Sequence, residues 1–406
     1  MKENEGYVIV ISLVVAAAAL LLLGVFLGSI VTERKNVEKS YHSAQALNLA
    51  EAGVEKAIWQ LNNSPASAAS GNFKIEGIGS CDYTTTISGD TAIIQASGYS
   101  PGINIQGYVT RKVKVTAECE KLNLFNTGVF AVNGPIEFVH DSMVDSYDST
   151  VGSYEDQAIN VDIDSGFTYA NSGASVGTSS TDPDVIQVDD SSKVFGSVSA
   201  GIEVELPQPT PPASFDYDYS GTAQAVLSIS GSEVYEISTP GTYRYDVISI
   251  SGNGVLEINA PGKVTIYVAG DVRVNDLDVT GNGEIRVATG TTVEFYVGGN
   301  LKVAGNGIVN SNSDPSSLAI YGTEQTENVQ IQGNAAYCGL VYAPGASVTI
   351  KGATDKDSAV FYGAVVANSI YIGPHGSIHY DETLKERTDF LPSWASIYRA
   401  ASWEET

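Results

Sequence analysis

The sequence predicts a mainly β protein with one long N-terminal transmembrane α-helix, a small antiparallel sheet, and then a β-solenoid of the parallel β-helix type. Three observations carry this prediction. Residues 7–31 contain no charged side chain, residues 72–119 alternate between apolar and polar side chains, and short apolar strands separated by Gly and Asn recur after residue 250. A bilayer core of about 30 Å needs roughly 20 apolar helical residues, so the first run is long enough to span a membrane.

The composition is acidic and rich in turn residues. The net charge is -26, from 47 acidic and 21 basic residues, and the chain has 41 Gly and 22 Tyr. Binding to phosphate backbones needs a concentrated Lys and Arg surface, so we expect no nucleic-acid partner. Many Gly and few charged residues are typical of exported β proteins rather than cytosolic enzymes.

The three cysteines are too few and too scattered for a disulfide framework or a zinc site. Export would permit one disulfide, and Cys81–Cys119 is the candidate because both residues belong to the same predicted domain. A simple three-strand meander would place the two thiols at opposite ends of the sheet, so this pairing stays open.

The helix signal continues beyond the apolar run. Small and apolar residues recur three and four positions apart from Ala44 to Leu61, and no proline occurs between residues 7 and 63. We therefore expect a short leader over residues 1–6 and one helix over residues 7–62, about 84 Å long. Its first half would lie in a membrane, where Gly24 and Gly28 would allow close helix packing, and its second half would pack on a globular head.

The block AQALNLAEAGVEKA over residues 44–57, placed after a short leader, Gly6 and an uncharged run, resembles the N-terminal region of type IV pilus assembly proteins of the PilX class. The resemblance covers about the first 60 residues. It implies a pilin-like subunit with Gly6–Tyr7 as the bond cut by a prepilin peptidase. The assembly helix would then use Gly24, Gly28, Ala50, Glu51 and Gly53.

The glutamate that major pilins of this kind carry at the fifth mature position corresponds to Ile11 here. A permanently anchored surface protein of structural or adhesive type is therefore the alternative to a processed subunit. Lys2 precedes the apolar run, whereas Arg34, Lys35 and Lys39 follow it, which by the positive-inside rule opposes export. Long C-terminal domains translocate largely regardless of charge, so we predict a single-pass membrane protein whose β domains are periplasmic, on the cell surface or in a pilus.

The head is predicted over residues 72–121. Four alternating segments, at residues 72–78, 81–88, 91–99 and 108–119, are joined by turn residues such as Gly89-Asp90 and Pro101-Gly102. An antiparallel sheet packed on the amphipathic half of the helix is the simplest arrangement.

A β-solenoid is predicted after residue 122 because the sequence repeats. Residues 256–274 align without gaps on residues 285–303, an offset of 29, and Gly-Asn-Gly turns recur at similar spacings. We expect a first solenoid part over residues 122–204, a Pro-rich connector over residues 205–213 that divides the region, repeats over residues 214–382 and a C-terminal cap over residues 383–406. A β-sandwich is the alternative.

Four short motifs in this region resemble an uncharacterised β-solenoid-like domain often found behind PilX-type N-termini. They are VDSYDS at residues 144–149, CGLVYAP at 338–344, FYGAVVAN at 361–368 and IHYD at 378–381. The resemblance implies a fold and brings no established chemistry.

No catalytic constellation is evident, and we expect neither an enzyme nor a cofactor. The histidines, His42, His140, His375 and His379, lack metal-ligand spacing on a helix, and no Gly-x-Ser-x-Gly elbow occurs. Close aspartate pairs occur in turn-like contexts, namely Asp145 with Asp148, Asp162 with Asp164, Asp189 with Asp190, and Asp355 with Asp357. A carbohydrate-active β-helix enzyme is an unfavoured alternative, and Asp162 and Asp164 form a weak calcium candidate because the loop lacks the bidentate Glu.

The sequence therefore predicts a pilin-like, membrane-anchored component of a type IV pilus or related system, with an exported β-solenoid for structural or adhesive contacts. The expected partners are other pilin-like subunits, the pilus assembly machinery and the membrane. A surface ligand or a carbohydrate is a further partner that the solenoid would contact.

Overall fold

The computed structural model describes residues 4–63, 70–102, 107–275, 281–304, 306–332, 337–351 and 359–405. The chain forms two compact units. The first comprises residues 1–120 and 396–406, and the second comprises residues 121–395. The predicted fold class is confirmed: the chain is mainly β, with one long N-terminal helix, a small antiparallel sheet and a large parallel sheet coiled like a β-helix.

The first unit begins with helix α1 (Asn4–Asn63) and continues with strands β1 (Ser70–Ile75), β2 (Gly79–Ser88), β3 (Thr91–Ser100) and β4 (Val109–Lys121). The four strands form an antiparallel meander. Alternate residues of the strands, such as Ile94 and Val115, are buried against the one-sided apolar stripe of α1 that includes Leu49 and Val54. Burial of this stripe fixes which face of the helix meets the sheet.

The second unit opens with short strands and one helical turn. They are β5 (Val129–Ala131), β6 (Ile136–Phe138), β7 (Met143–Tyr147), α2 (Tyr154–Gln157), β8 (Asn160–Val161), β9 (Thr168–Tyr169), β10 (Ala174–Thr178), β11 (Ile186–Val188), β12 (Lys193–Val194) and β13 (Gly196–Ser199).

The strands after the Pro-rich connector are β14 (Tyr217–Asp218), β15 (Val226–Ile229), β16 (Val234–Ile237), β17 (Gly241–Tyr245), β18 (Val247–Ile250), β19 (Val255–Ile258), β20 (Gly262–Val268), β21 (Val272–Val274), β22 (Glu284–Val287), β23 (Thr291–Val297), β24 (Leu301–Val303), β25 (Gly307–Asn310), β26 (Leu318–Gly322), β27 (Asn328–Gln332), β28 (Tyr337–Lys351), β29 (Ala359–Ile372) and β30 (Gly376–Asp381). The last strand is β31 (Ser396–Glu405), and single 3-10 turns lie at Pro183–Val185, Pro315–Ser317 and Glu382–Lys385.

Apart from β31 and the antiparallel pair β8–β9, these strands stack in parallel as coils with three faces. In the two coils that repeat in sequence, Leu256 lies opposite Ile285, Val264 opposite Val293, and Val272 opposite Leu301, each pair 29 residues apart. The inward residues are mainly Val, Ile and Leu, and they form one continuous core. Parallel pairing with this register excludes the β-sandwich alternative, whose strands would be mainly antiparallel.

The coils do not stack in chain order. Strand β5 pairs with β29 on one side and with β10 on the other, and β7 lies between β30 and β12 in the same way. The part of the chain before the connector is therefore stacked on the last coil of the repeats, at the opposite end from β14.

The connector consequently runs back along the stack rather than joining two successive blocks. The strands between β13 and β14 lie along one face of the stack, in the order β13, β10, β5, β29, β28, β26, β23, β20, β17, β14. This order comprises nine steps between neighbouring strands, or about 43 Å at 4.8 Å per step. An extended chain over residues 200–216 reaches about 56 Å, which suffices. Tyr342 Oη donates a hydrogen bond of 2.8 Å to the Pro207 carbonyl, which fixes the connector against the stack.

The C-terminal cap predicted over residues 383–406 is wrong in its placement. Trp394 lies on the outer side of the stack, where its Nε1 donates to Tyr296 Oη at 3.0 Å and its ring meets Tyr321 edge-on. Strand β31 instead joins the small sheet, in the order β1-β2-β3-β4-β31. Basic residues on β4 favour this pairing, because Arg111 and Lys114 form ion pairs with Glu405 and Glu404.

Candidate functional site

The first candidate site is the apolar surface of the N-terminal part of α1, which precedes the part packed on the small sheet. Its side chains from residue 10 to residue 37 are exposed, including Leu21 at 73 % and Val25 at 74 %. The most apolar window has a mean hydropathy of 2.9 and no buried residue. By length and composition this helix could span a membrane, although a signal sequence near an N-terminus has the same properties.

The predicted assembly residues divide between the two halves of this helix. Gly6 and Tyr7 lie near its start. A Cβ added at Gly24 or Gly28 would meet nothing within 4 Å, so both glycines face open space in this chain. Glu51 is also exposed, whereas Ala50 is fully buried.

Gly53 belongs to the interface with the protein's own sheet. A Cβ at Gly53 would lie 2.4 Å from Cys81 Sγ and 3.2 Å from the Ala96 Cβ. On the facing strand, a Cβ at Gly98 would lie 1.9 Å from the Ala46 carbonyl oxygen. The small residues of the AEAG block therefore bring the helix and the sheet of one chain into close contact.

The disulfide Cys81–Cys119 does not form. Both residues are free thiols. Through Gly98 on β3, Cys81 is level with Arg111 near the start of β4. Cys119 lies near the other end of β4, next to Glu118, which pairs with Thr91. The two cysteines are therefore about eight residues apart along the direction of β4, or roughly 26 Å, which is far beyond the Cα–Cα distance that a disulfide permits.

The calcium candidate does not assemble a ligand group. The Asp162 carboxylate forms an ion pair with Lys193 at 3.4 Å and accepts the Ser165 hydroxyl, while Asp164 is exposed. Within the described residues, no group of three or more His, Cys, Asp or Glu is arranged to hold a metal ion. Asp355 and Asp357, also considered as a carboxylate pair, lie outside the described residues.

The second candidate site is a pocket on the outer side of β7, β29 and β30. Residues 148–173, which include α2 and the short strands β8 and β9, lie over this surface and form one wall of the pocket. Its volume is about 400 Å³. Glu155 and Phe167 line it from the covering segment, and Tyr362 and His379 line it from the strands.

A buried carboxylate orients the histidine of this pocket. Asp145 is completely buried and lies directly opposite His379 in the register of β7 and β30. Its Oδ1 lies 2.5 Å from His379 Nδ1, and its Oδ2 accepts from Tyr154 Oη and the Ala170 amide, both at 2.9 Å. With Nδ1 bonded to a carboxylate, the Nε2 atom is the ring nitrogen that remains for a ligand.

Aromatic rings surround this histidine. Tyr154 stacks on His379 with ring centroids 3.6 Å apart, and Tyr147 contacts both Tyr154 and Tyr362 edge-on at 6.0 Å. Burial, followed by the charge of Asp145, raises the pKa of Tyr154 well above its ordinary value. The tyrosine therefore remains a hydrogen-bond donor to Asp145 at physiological pH.

One hydrogen bond separates the pocket from a neighbouring cavity. Tyr362 Oη donates to Glu155 Oε1 at 2.7 Å, and this bond lowers the pKa of the Glu155 carboxyl. On the other side lies a cavity of about 710 Å³, lined by Tyr147, Asn312 and Asp314 among others. Tyr154, Glu155 and Tyr362 line both, so the two spaces form neighbouring halves of one groove.

The sequence did not identify this site. The sequence predicts Asp145 in a turn, whereas it lies in a strand and is buried. Local spacing does not connect His379 with Asp145, because 234 residues separate them. The motifs VDSYDS and IHYD both contain the relevant residues, but only the register of β7 on β30 pairs them.

The comparisons with known proteins describe parts of this chain. A family model described as "Domain of unknown function (DUF7305)" matches residues 216–387, which is less than half of the chain. No curated protein matches the sequence.

Two solved structures align with the fold at low similarity. The competence-associated pilin ComZ from Thermus thermophilus is 13% identical with a TM-score of 0.27, covering 90% of this chain and 97% of that one. A glycosylated ice-binding protein from an Arctic yeast is 11% identical with a TM-score of 0.23, covering 64% of this chain and 93% of that one.

Proposed function

We propose that this protein is a membrane-anchored, pilin-like subunit that carries an exported β-helix-like unit. The observation that carries the proposal is the division of α1. Its first part exposes apolar side chains on every side, while from Ala46 onward one stripe is buried against an antiparallel sheet. A helix that is hydrophobic all round requires an apolar environment from outside the chain.

The length of the exposed part supports a membrane or a bundle of like helices as that environment. Residues 10–31 span about 33 Å at 1.5 Å per residue, close to the thickness of a bilayer core. Gly24 and Gly28 lie on this part with open space around them, so another helix could approach closely there. We propose that other pilin-like subunits occupy this surface after the helix leaves the bilayer.

A permanently anchored surface protein is the second candidate function. It is favoured by Ile11, which leaves the early helix uncharged, and by Glu3 and Glu5 in the leader. Both proposals assign the β-helix-like unit a role in contacts outside the membrane, and neither requires catalysis.

The mature N-terminus distinguishes the two candidates. We expect the protein from sheared surface filaments to begin at Tyr7, as read by mass spectrometry of the N-terminal peptide, and Gly6→Val to leave the leader attached. Ser12→Ala, a nearby conservative change, is the control. A protein that keeps residues 1–6 and stays in the membrane fraction would establish the permanently anchored form instead.

A further inference from the structure

We propose that the groove between residues 148–173 and the outer surface of β29 and β30, continued along residues 309–314, is a binding site for saccharides that lack acidic groups. The two halves of the groove measure about 400 and 710 Å³. Each lies within the size range of small-ligand pockets, and two adjoining halves that share lining residues suit a ligand of more than one sugar ring.

The aromatic side chains provide surfaces for the apolar faces of sugar rings. Tyr147, Tyr154 and Tyr362 form a cluster with ring centroids 5.8 to 6.0 Å apart, and Phe167 lies, like Tyr154, on the covering segment. Aromatic rings have a negative face that attracts the weakly positive C–H groups of a pyranose. Tyr154 and Tyr362 line both halves of the groove, so they would contact rings on either side of the dividing hydrogen bond.

The polar side chains are suited to hydroxyl groups. Asp145 fixes the His379 ring through Nδ1, which leaves Nε2 to bond with a ligand hydroxyl. The carboxylates of Asp141 and Glu155 line the same half and accept hydrogen bonds from hydroxyl or amino groups.

The charges argue against an acidic ligand. Among the described residues that line the two halves, three are carboxylates and none is Lys or Arg. The cationic partners near these carboxylates are Arg387, 3.4 Å from Asp314, and His375, whose Nδ1 lies 3.9 Å from the Asp141 carboxylate and is charged only when protonated. A uronic or sialic acid would therefore meet repulsion inside a chain whose net charge is already -26.

This inference does not depend on how α1 is used, because every residue that carries it belongs to the second unit. The test uses the full chain in amine-oxide micelles, since a maltoside detergent would itself present sugar rings. The probes are cello-, malto-, manno- and chito-oligosaccharides of two to four units, with trigalacturonic acid as the acidic member. Binding is measured by saturation-transfer NMR at about 5 mM saccharide, a concentration that occupies most of a site whose Kd is about 1 mM.

Three variants locate the site. Phe167→Ala removes an aromatic wall that lies outside the buried core, and we expect at least about tenfold weaker binding. Tyr371→Ala is the matched control, because Tyr371 is on the same strand as Tyr362 but lines neither half, and we expect unchanged binding. Glu155→Gln keeps an acceptor for Tyr362 while removing a charge, so binding of trigalacturonic acid should increase.

The proposal is overturned if no neutral or amino saccharide in the panel binds, or if only trigalacturonic acid binds. It is equally overturned if Phe167→Ala binds as well as Tyr371→Ala while both retain the near-ultraviolet circular dichroism of the parent. The processing of Gly6–Tyr7 can fail or succeed without changing any of these results.

Discussion

At the scale of single residues, burial decides how the three thiols behave. Burial, followed by the charge of Asp82, raises the pKa of Cys81 to about 11, and burial raises the pKa of Cys338 to about 12. Cys119 is only half-buried. Because the thiolate is the reactive form, the two buried thiols should be nearly inert at neutral pH.

We expect N-ethylmaleimide at pH 7.5 to label Cys119 in the native protein, and all three thiols only after denaturation. Peptide mass mapping measures this directly. Denaturation without reductant that still leaves Cys81 and Cys119 unlabelled would show that a disulfide exists, contrary to the structure.

The hydrogen bond between Tyr362 and Glu155 gives a pH dependence with a definite sign. The pKa of Glu155 is lower in the folded protein, so the stability from this bond is present above the unfolded-state pKa and is lost as pH falls through the folded-state value. Tyr362→Phe should therefore lower the urea midpoint at pH 7, with the difference shrinking below about pH 4. Glu155 is exposed, so the effect is small. A constant difference down to pH 2 would contradict this assignment.

At the scale of elements, close contact between α1 and the small sheet depends on Gly98. A Cβ there would lie 1.9 Å from a backbone oxygen of α1, and backbone atoms cannot move aside cheaply. We expect Gly98→Ala to destabilise the first unit by about 1–3 kcal/mol, measured by hydrogen exchange of amides in β2 and β3. Gly24→Ala is the control, because its Cβ meets nothing, and it should leave that exchange unchanged.

The C-terminal strand should protect β4 from exchange. Strand β31 covers the edge of β4, where its acidic residues lie beside Arg111 and Lys114. Deletion of residues 396–406 removes these partners and exposes an edge strand, so amides over Val109–Lys121 should exchange faster. Trp403→Ser alters an exposed side chain of the same strand and should have no such effect. Unchanged exchange after the deletion would show that β31 does not pair there.

At the scale of the whole molecule, the order of the coils can be tested with paired cysteines. Glu137 lies opposite Tyr371, so Glu137→Cys with Tyr371→Cys places two Cα atoms about 5 Å apart, within disulfide range. Gln187 and Ser228 lie at opposite ends of the stack, so Gln187→Cys with Ser228→Cys should not form a disulfide. If the coils followed chain order, the second pair would be the closer one. Peptide mapping identifies which disulfide forms.

Much of the architecture follows from local patterns in the sequence. The apolar run and the stripe from Ala44 to Leu61 determined the helix, and the alternation over residues 72–119 determined the antiparallel meander. The 29-residue offset between Leu256 and Ile285 placed both residues at the same position of successive coils. These features are local or periodic, and each segment shows its buried face through its own spacing.

The tertiary structure decided what depends on contacts between distant segments. No local pattern states that β5 follows β29 in the stack, that β31 returns to the small sheet, or that Asp145 lies opposite His379 across 234 residues of chain. Such pairings are set by which strand edges meet once the coils close, because parallel strands of similar Val and Ile content fit many neighbours equally well. The sequence alone therefore determined the helix, the head and the coiled strands, while the order of the coils and the groove came from the fold.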